Sequence, residues 1–173
     1  MPLAFVLPVA LIVTVIWVSW NLTLDALWQP TDQSTIAQIL DNLEIDSGDI
    51  VYDLGCGDGR WLTRIVKDYG GKAVGIEIDP GRVIISWMRV LFAGAFGKAK
   101  VIWGNMYEQD LSGADSVILF LSEKANEKLA PKLKRELEPG SLIASYYHEM
   151  PDWEPVKTER SKEDYDIYIY RIE

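Results

Sequence analysis

The sequence predicts an α/β protein with a doubly wound, mostly parallel sheet, preceded by one N-terminal transmembrane helix. Apolar runs typical of buried strands alternate with helical patterns along most of the chain, which is the order that βαβ units produce. A glycine-rich turn follows the first of these strands, and an uncharged apolar segment opens the chain. These features divide the sequence into an anchor over residues 1–22, a juxtamembrane linker over residues 23–33 and one α/β domain over residues 34–173.

The apolar N-terminal segment is the basis for the predicted anchor. Residues 2–20 carry no charged side chain, and a helix of this length spans about 28 Å, close to the thickness of a hydrocarbon core. Trp17 and Trp20 suit a membrane interface, whereas a cleaved signal peptide would begin with basic residues and a buried core helix would usually be shorter. We therefore expect a single-pass membrane protein.

Charge and cysteine content indicate the compartment and disfavour one class of partner. No Lys or Arg precedes Arg60, so the positive-inside rule has almost nothing to count. Cys56 is the only cysteine, which excludes an intramolecular disulfide and fits a reducing compartment. We expect the α/β domain on the cytoplasmic side of the membrane. We also expect no nucleic-acid partner, because the net charge is −9 and such binding depends on cationic contacts to phosphates.

The predicted strands and helices follow the linker in regular alternation. Ligands of doubly wound sheets bind at the carboxyl ends of the strands, so we expect the site there. Pro131 should kink or divide the last helix. The predicted elements are a helix from Ser34, strand 50–54, helix 60–68, strand 73–78, helix 80–95, strand 100–103, strand 116–121, a helix from Ser122, strand 141–147 and strand 166–172.

The glycine turn after the first strand carries the strongest chemical signal. Residues 51–60 read Val-Tyr-Asp-Leu-Gly-Cys-Gly-Asp-Gly-Arg, a turn that could also serve a nicotinamide dinucleotide, whose pyrophosphate lies on a helix N-terminus. Asp53 and Asp58 would repel a pyrophosphate but can accept hydrogen bonds from the ammonium of S-adenosylmethionine (SAM). Glu77, 22 residues after Gly55, can bind the ribose hydroxyls of either ligand. The flanking charge favours SAM.

Two segments, Asp53-Leu-Gly-Cys-Gly-Asp-Gly59 and Gly75-Ile-Glu-Ile-Asp-Pro80, resemble the class I methyltransferase signature. The resemblance extends from about Trp28 to Trp153. Within this family the chain looks like the small archaeal protein-lysine methyltransferases and the mitochondrial lysine methyltransferases of the ATP synthase c-subunit and adenine nucleotide translocase type. The segments that carry this closer likeness are Trp28-Gln-Pro-Thr31, Gly104-Asn-Met106, Phe120-Leu-Ser122 and residues 129–137.

The resemblance implies a Rossmann-like SAM-dependent methyltransferase domain over residues 34–173, with SAM as cofactor, S-adenosyl-L-homocysteine (SAH) as product and no metal. It also implies the residues that hold the cofactor. Thr31 would help to close the pocket, the methionine end would lie against Asp53, Gly55 and Gly57, the ribose against Glu77, and the adenine against Asn105 and Met106. Thr31 as a helix cap and Met106 as a core residue are the alternatives.

The methyl acceptor is expected near the ends of the fourth and fifth strands. Leu121, Ser122, Tyr146 and Tyr147 are the candidate catalytic residues that line its channel; the alternative is that Ser122 caps a helix and the tyrosines pack on the sheet. Many nucleobase amino-methyltransferases carry an Asn/Asp-Pro-Pro-aromatic motif after the fourth strand, and this chain has Leu-Ser-Glu there. A lysine acceptor needs mainly a narrow channel that removes water from its ammonium. His148 and Cys56 are interpreted as structural.

The helix over residues 83–96 is apolar nearly all round, so we do not expect it to face water. It could lie on the bilayer surface with Arg82 and Arg89 reaching the headgroups, cover the anchor, or contact another protein chain, and we favour the membrane.

Three functions are compatible with these features. The first is a membrane-anchored methyltransferase that modifies lysines of a membrane-associated protein. The second keeps the cofactor but acts on a lipid, a quinone precursor or another small amphipathic molecule. The third is a membrane-tethered binding module that has kept the fold without catalysis. We favour the first.

Overall fold

The computed structural model describes residues 3–21 and 29–173. Seven strands and five α-helices follow one another along these ranges, together with one π-helical segment, Ile65–Tyr69, that continues α3. The elements are α1 Leu3–Asn21, α2 Gln33–Asp41, β1 Ile50–Leu54, α3 Arg60–Arg64, β2 Lys72–Glu77, α4 Pro80–Phe92, β3 Ala99–Trp103, β4 Ser116–Leu119, α5 Glu123–Glu136, β5 Leu142–Tyr146, β6 Lys157–Arg160 and β7 Asp166–Arg171.

The strands form one sheet in the order β3-β2-β1-β4-β5-β7-β6. The first five are parallel to one another, whereas β7 runs antiparallel between β5 and β6. The chain moves outward from β1 to β2 and β3, then returns to place β4 on the other side of β1. Such a reversal leaves a crevice at the carboxyl ends of the two central strands, where ligands bind.

Three of the helices, α2, α4 and α5, begin where polar side chains cap them. The Asp32 carboxylate accepts from the backbone N–H groups of Ser34 and Thr35 at the start of α2. Asp79 caps α4 in the same way, just before Pro80, and Ser122 caps α5. These side chains satisfy N–H groups that a helix leaves without partners in its first turn. Each cap therefore fixes the point at which the chain leaves the crevice.

The apolar residues of the sheet and helices pack into a core on each face of the sheet. One core joins α2 and α3 to the sheet, with Ile36, Leu40 and Leu62 fully buried. The other joins α5 to the opposite face, with Leu129 and Leu133 fully buried. A sheet covered on both faces explains why its central strands are apolar along their length.

The predicted α/β class, its parallel order and the approximate element positions are confirmed, with three differences. The predicted helix 60–68 is a short α-helix followed by a π-helical turn. Pro131 lies inside α5 without dividing it. The strand β6, Lys157–Arg160, was not predicted; it is an edge strand with mostly exposed residues, so it lacks the alternation that marks a half-buried strand.

The predicted transmembrane helix is wrong. Crossing a bilayer takes about 20 consecutive apolar residues. Throughout residues 3–21 and 29–173, no helix is both long enough and apolar enough to span a membrane. This finding overturns the anchor assigned to residues 1–22 and the single-pass membrane localisation. Residues 23–28 of the predicted linker lie outside the described residues, and Gln29 and Pro30 lead directly to α2.

The apolar helix α4 has two different faces. Ser86 and Val90 are buried against the domain, so one face of the helix packs on the rest of the protein. Its other face bears large apolar side chains that are at least half exposed: Ile84, Ile85, Trp87, Met88, Leu91 and Phe92. This face is therefore open to solvent in the described part of the chain, and the membrane contact favoured for it stays a prediction.

Candidate cofactor and active site

A cavity of about 360 Å³ opens at the carboxyl ends of β1, β2 and β4. It lies at the reversal in strand order, where a doubly wound sheet is expected to bind its ligand. Carboxylates and the glycine turn form one part of its wall, and apolar side chains form another. The lining residues include Gln29, Thr31, Asp53, Gly55, Cys56, Asp58, Arg60, Trp61, Ile76, Glu77, Ile78, Arg82, Gly104, Asn105, Met106, Tyr107, Phe120, Leu121 and Lys128.

The glycine turn owes its shape to positive backbone angles and close packing. Gly55 has φ +84° and Gly59 has φ +75°, a region that glycine adopts without steric cost. A Cβ atom at Gly59 would lie 3.0 Å from the Cβ of Ser86 and 3.1 Å from its Cα. The N–H groups of Gly55 and Cys56 both donate to the carbonyl of Ile76. The turn is therefore fixed against both β2 and α4.

Asp53 is the most unusual ionisable group in the cavity. It is buried, and within the described part of the chain no group donates a hydrogen bond to its Oδ2 atom. Burial, followed by the negative charges of Glu77 and Asp58, raises the pKa of Asp53 to about 8. An unsatisfied carboxylate oxygen is costly unless a cation or hydrogen-bond donor reaches it. Asp53 is thus prepared for a cationic ligand.

Glu77 lies at the end of β2 and is held by backbone groups. Its Oε2 accepts from the N–H of Gly57 at 2.9 Å, and its Oε1 accepts from the N–H of Asp79 at 2.9 Å. A carboxylate oxygen has more than one acceptor site, so both oxygens can still receive hydroxyl groups. Their fixed position suits the two neighbouring hydroxyls of a ribose.

Asp58 is engaged by arginines, and its contact with an ammonium stays a prediction. Arg60 donates from Nε at 2.9 Å and from Nη2 at 2.8 Å, and Arg89 donates from Nη2 at 2.8 Å. Burial alone would raise the pKa of Asp58, but these hydrogen bonds and charges lower it. Arg60 also donates to the carbonyl of Thr31 at 2.9 Å. The pair thus ties the segment before α2 to the glycine turn.

Cys56 behaves as a small buried residue. Burial, assisted by the charges of Asp53 and Glu77, raises the pKa of its thiol well above the ordinary value. The thiol therefore stays protonated at neutral pH and is a poor nucleophile. Across the described ranges, no group of three or more His, Cys, Asp or Glu side chains is arranged to hold a metal ion.

The structure brings most of the predicted cofactor residues to this cavity. Thr31 is buried in its wall, and the helix cap is Asp32, so the capping alternative does not apply to Thr31. Asn105 and Met106 follow β3 and also line the cavity. Asn105 accepts from the N–H of Tyr107, and Met106 also packs on the core. Gly57 is not among the residues that line the cavity; its N–H donates to Glu77 and so helps to position that carboxylate.

The four predicted acceptor residues are divided between different environments. Leu121 lines the cavity. Ser122 is the cap of α5, where its hydroxyl accepts from the N–H of Ala125. Tyr146 is buried beneath the surface, and Tyr147 is exposed beside it; neither is part of the cavity wall. His148 packs its ring edge-on against Tyr147 with centroids 4.3 Å apart.

Several cavity residues were not predicted. Phe120, Tyr107 and Lys128 line the wall, and Arg60 fastens its edge. Phe120 directly precedes Leu121, so the residue before a predicted site residue was a usable signal. Arg60 could not be recognised in this way, since its carbonyl partner belongs to Thr31, 29 residues away in sequence.

The residues fit one kind of ligand particularly well. A buried, unpaired carboxylate at Asp53 suits an ammonium, and Glu77 suits a ribose. SAM carries both groups, together with an adenine for the wall around Met106. The cofactor of this site is SAM, and solved structures with the same fold hold its product SAH.

Comparison with known proteins places these features in a family context. Residues 53–157 match the ANTKMT methyltransferase domain. A protein-lysine N-methyltransferase of Saccharolobus islandicus (strain REY15A) is 37% identical over 147 residues, covering 83% of this chain and 91% of the relative. The ATP synthase c-subunit lysine N-methyltransferase of Mus musculus is 30% identical over 129 residues, covering 75% of this chain and 51% of the relative. The chain thus spans about half the length of the mouse protein.

Solved structures agree on the fold. The crystal structure of an RNA methyltransferase from Salinibacter ruber with bound SAH has a TM-score of 0.81 and 34% identity, covering 83% of this chain and 94% of that one. A SAM-dependent methyltransferase from Thiobacillus denitrificans, also with SAH, has a TM-score of 0.59 and 22% identity, covering 78% of this chain and 57% of that one. At such identity the second match supports the fold alone.

Proposed function

The chain belongs to the ANTKMT methyltransferase domain family, and we propose that it transfers methyl groups from SAM to lysine side chains of a protein. The observation that carries the proposal is the near full-length match to the archaeal protein-lysine N-methyltransferase, which spans 91% of that relative. The cavity supports it, because one wall suits a cationic cofactor and another wall is apolar.

The chemistry asks little of the protein beyond binding and desolvation. Bound SAM supplies an activated methyl group, which the lysine nitrogen takes as the N–C bond forms, the S–C bond breaks with its electrons on sulfur, and the amine proton passes to water. Leu121 and Phe120 present apolar surface at the cavity, which favours the neutral amine over the ammonium. Alignment of that amine with the methyl group then supplies most of the acceleration.

A second candidate is an RNA methyltransferase, since the Salinibacter ruber protein bears that description and is 34% identical. The charge of this chain argues against it. A net charge of −9 and a sequence pI near 4.6 oppose the cationic contacts that phosphate backbones need. Methyl transfer to protein and methyl transfer to RNA therefore have to be measured separately.

The test is transfer of labelled methyl groups from SAM to the protein, RNA and lipid fractions of the source organism. Asp53→Asn serves as the inactive control, and Asp152→Asn, a change of the same kind at an exposed position, serves as its match. Label in protein that is lost only in Asp53→Asn and is recovered as methyl-lysine supports the proposal. Label in RNA establishes the second candidate, and label in lipid establishes the small-molecule alternative.

A further inference from the structure

A row of aromatic side chains leads from the cavity wall to the protein surface beside β5. The row, here the aromatic ridge, consists of Phe120, Tyr146, Tyr165, Tyr147 and His148. Phe120 lines the cavity, and its ring centroid lies 4.7 Å from that of Tyr146. Tyr165 follows at 6.1 Å from Tyr146, and Tyr147 at 4.6 Å from Tyr165. The ridge therefore connects the cavity with solvent through ring contacts.

The outer end of the ridge is exposed and conformationally strained. Tyr147 is 45% exposed and Tyr165 is 42% exposed, whereas Tyr146 is 1% exposed. Tyr147 has φ +79°, a left-handed conformation that is unfavourable for a bulky residue. Its N–H donates to the carbonyl of Asp166 at 2.9 Å, which helps to hold it there. Such strain is maintained at functional sites more often than elsewhere, and here it holds a half-exposed ring next to Tyr165.

A carboxylate lies next to the buried tyrosine of the ridge. The Tyr146 hydroxyl donates to Oε2 of Glu163 at 2.8 Å. Burial, together with Glu163, raises the pKa of Tyr146 to about 12, although Ser161 acts in the opposite direction. Tyr146 is thus a neutral donor to Glu163. The neighbouring carboxylates of Asp164 and Asp166 are instead paired with Arg160.

We propose that Tyr147 and Tyr165, together with the Glu163 carboxylate that accepts from Tyr146, form a recognition surface for the lysine side chain of the protein acceptor. The face of a tyrosine ring attracts an ammonium, and a nearby carboxylate strengthens the attraction. The lysine is held at the outer end of the aromatic ridge, whose inner end is Phe120 in the cavity wall. This inference rests on the proposed lysine acceptor and adds the specificity residues for it.

The experiment measures binding rather than turnover. A peptide of Lys-Gly repeats and the same peptide acetylated on every lysine are titrated into the full chain loaded with SAH. Tyr165→Leu and Tyr147→Gly remove the exposed rings, and glycine suits the backbone angle at position 147. Tyr165→Phe and Tyr147→Phe keep the rings as matched controls. Unchanged SAH affinity in every variant reports an intact domain.

The expected result is that the wild-type chain prefers the lysine peptide to the acetylated one. Each ring-removing variant should weaken lysine-peptide binding about fivefold, as loss of one ammonium–ring contact implies, while the phenylalanine variants stay within about twofold of wild type. Glu163→Gln should weaken binding and reduce its dependence on salt. The KM for a lysine acceptor should rise in parallel, with kcat changed less.

Three results would overturn the recognition surface. One is equal binding of both peptides by the wild-type chain; another is ring-removing variants that bind the lysine peptide as tightly as wild type. Phenylalanine variants as weak as the ring-removing ones would also overturn it, because the ring face would then not be the binding element. Lysine-dependent binding without methyl transfer to any protein would leave the surface standing and overturn the proposed function instead.

Discussion

At the scale of single residues, the buried carboxyl of Asp53 determines how pH acts on the site. Burial and the charges of Glu77 and Asp58 raise its pKa from 3.8 to about 8. The folded, cofactor-free protein therefore holds this proton more tightly than the unfolded chain does. The stability that this group contributes is fully present below about pH 4 and is lost as the pH rises through about 8.

SAM affinity should accordingly increase as the pH rises toward 8. The ammonium of the cofactor favours ionised Asp53, so binding below about pH 8 has to release the proton of this group. The dissociation constant should fall by up to about tenfold per pH unit between about pH 6 and pH 8. Calorimetry in two buffers of different ionisation enthalpy measures the released proton directly. A dissociation constant that stays flat over this range would contradict the assignment.

The substitution Asp53→Asn should change stability and binding in opposite directions. Asp53 must take up a proton on folding at pH 7, since its pKa is about 8 in the folded chain, whereas Asn is neutral without one. The substitution should therefore stabilise the cofactor-free chain by about 1 kcal/mol or more. Loss of the charged partner should weaken SAM binding about 10- to 100-fold and remove its pH dependence. Denaturant titration and calorimetry measure the two effects. A variant that loses stability as well as binding would show that Asp53 serves the fold rather than the cofactor.

At the scale of elements, the glycine turn requires a glycine in the neighbouring strand β2. A Cβ atom at Gly75 would lie 2.6 Å from the Sγ of Cys56 and 2.6 Å from the Cδ1 of Leu62. Gly75→Ala should therefore displace the turn and cost about 1–3 kcal/mol in the free energy of unfolding. At Gly113 the added carbon would lie 3.8 Å from the hydroxyl oxygen of Tyr52, an ordinary contact, so Gly113→Ala should cost less than about 1 kcal/mol. Chemical denaturation distinguishes the two.

The segment before α2 is joined to α3 and the glycine turn by the fork of one guanidinium. Arg60 donates to both oxygens of Asp58 and to the carbonyl of Thr31. A lysine keeps the charge but cannot reproduce these directed bonds. Arg60→Lys should weaken SAM binding about tenfold, since the loss of one or two such bonds is worth about 1–2 kcal/mol. Arg64→Lys, in the same helix and outside the cavity wall, is the control and should bind normally.

At the scale of the whole molecule, periodic signals could be recognised in the sequence and long-range pairings could not. The strands β1, β4 and β5 are buried along most of their length, so their apolar runs identified them. Asp53, Gly55 and Glu77 were recognised from the glycine-turn motif, from the position of Glu77 at the end of the second strand and from the resemblance to class I methyltransferases. Arg60 was missed because its role depends on the carbonyl of Thr31, which is distant in sequence.

The errors have physical causes as well. Uniform hydrophobicity over residues 2–20 was interpreted as a membrane anchor, and the described helices do not support that interpretation. The left-handed conformation of Tyr147 has no sequence signal, because bulky residues rarely adopt it. The edge strand β6 is mostly exposed and shows no alternation. Features that depend on tertiary contacts, rather than on a local sequence pattern, could therefore be identified only from the structure.

Cofactor binding should stabilise the whole molecule by an amount that depends on Asp53. SAM at about 100 times its dissociation constant stabilises the folded state by about 2.7 kcal/mol, which raises Tm by about 5–10 °C for a chain of this size. At the same SAM concentration Asp53→Asn should start from a higher Tm and gain much less, so the two melting curves should approach or cross as SAM is added. Differential scanning fluorimetry tests this, and a variant whose Tm rises as much as wild type would exclude Asp53 as the partner of the ammonium.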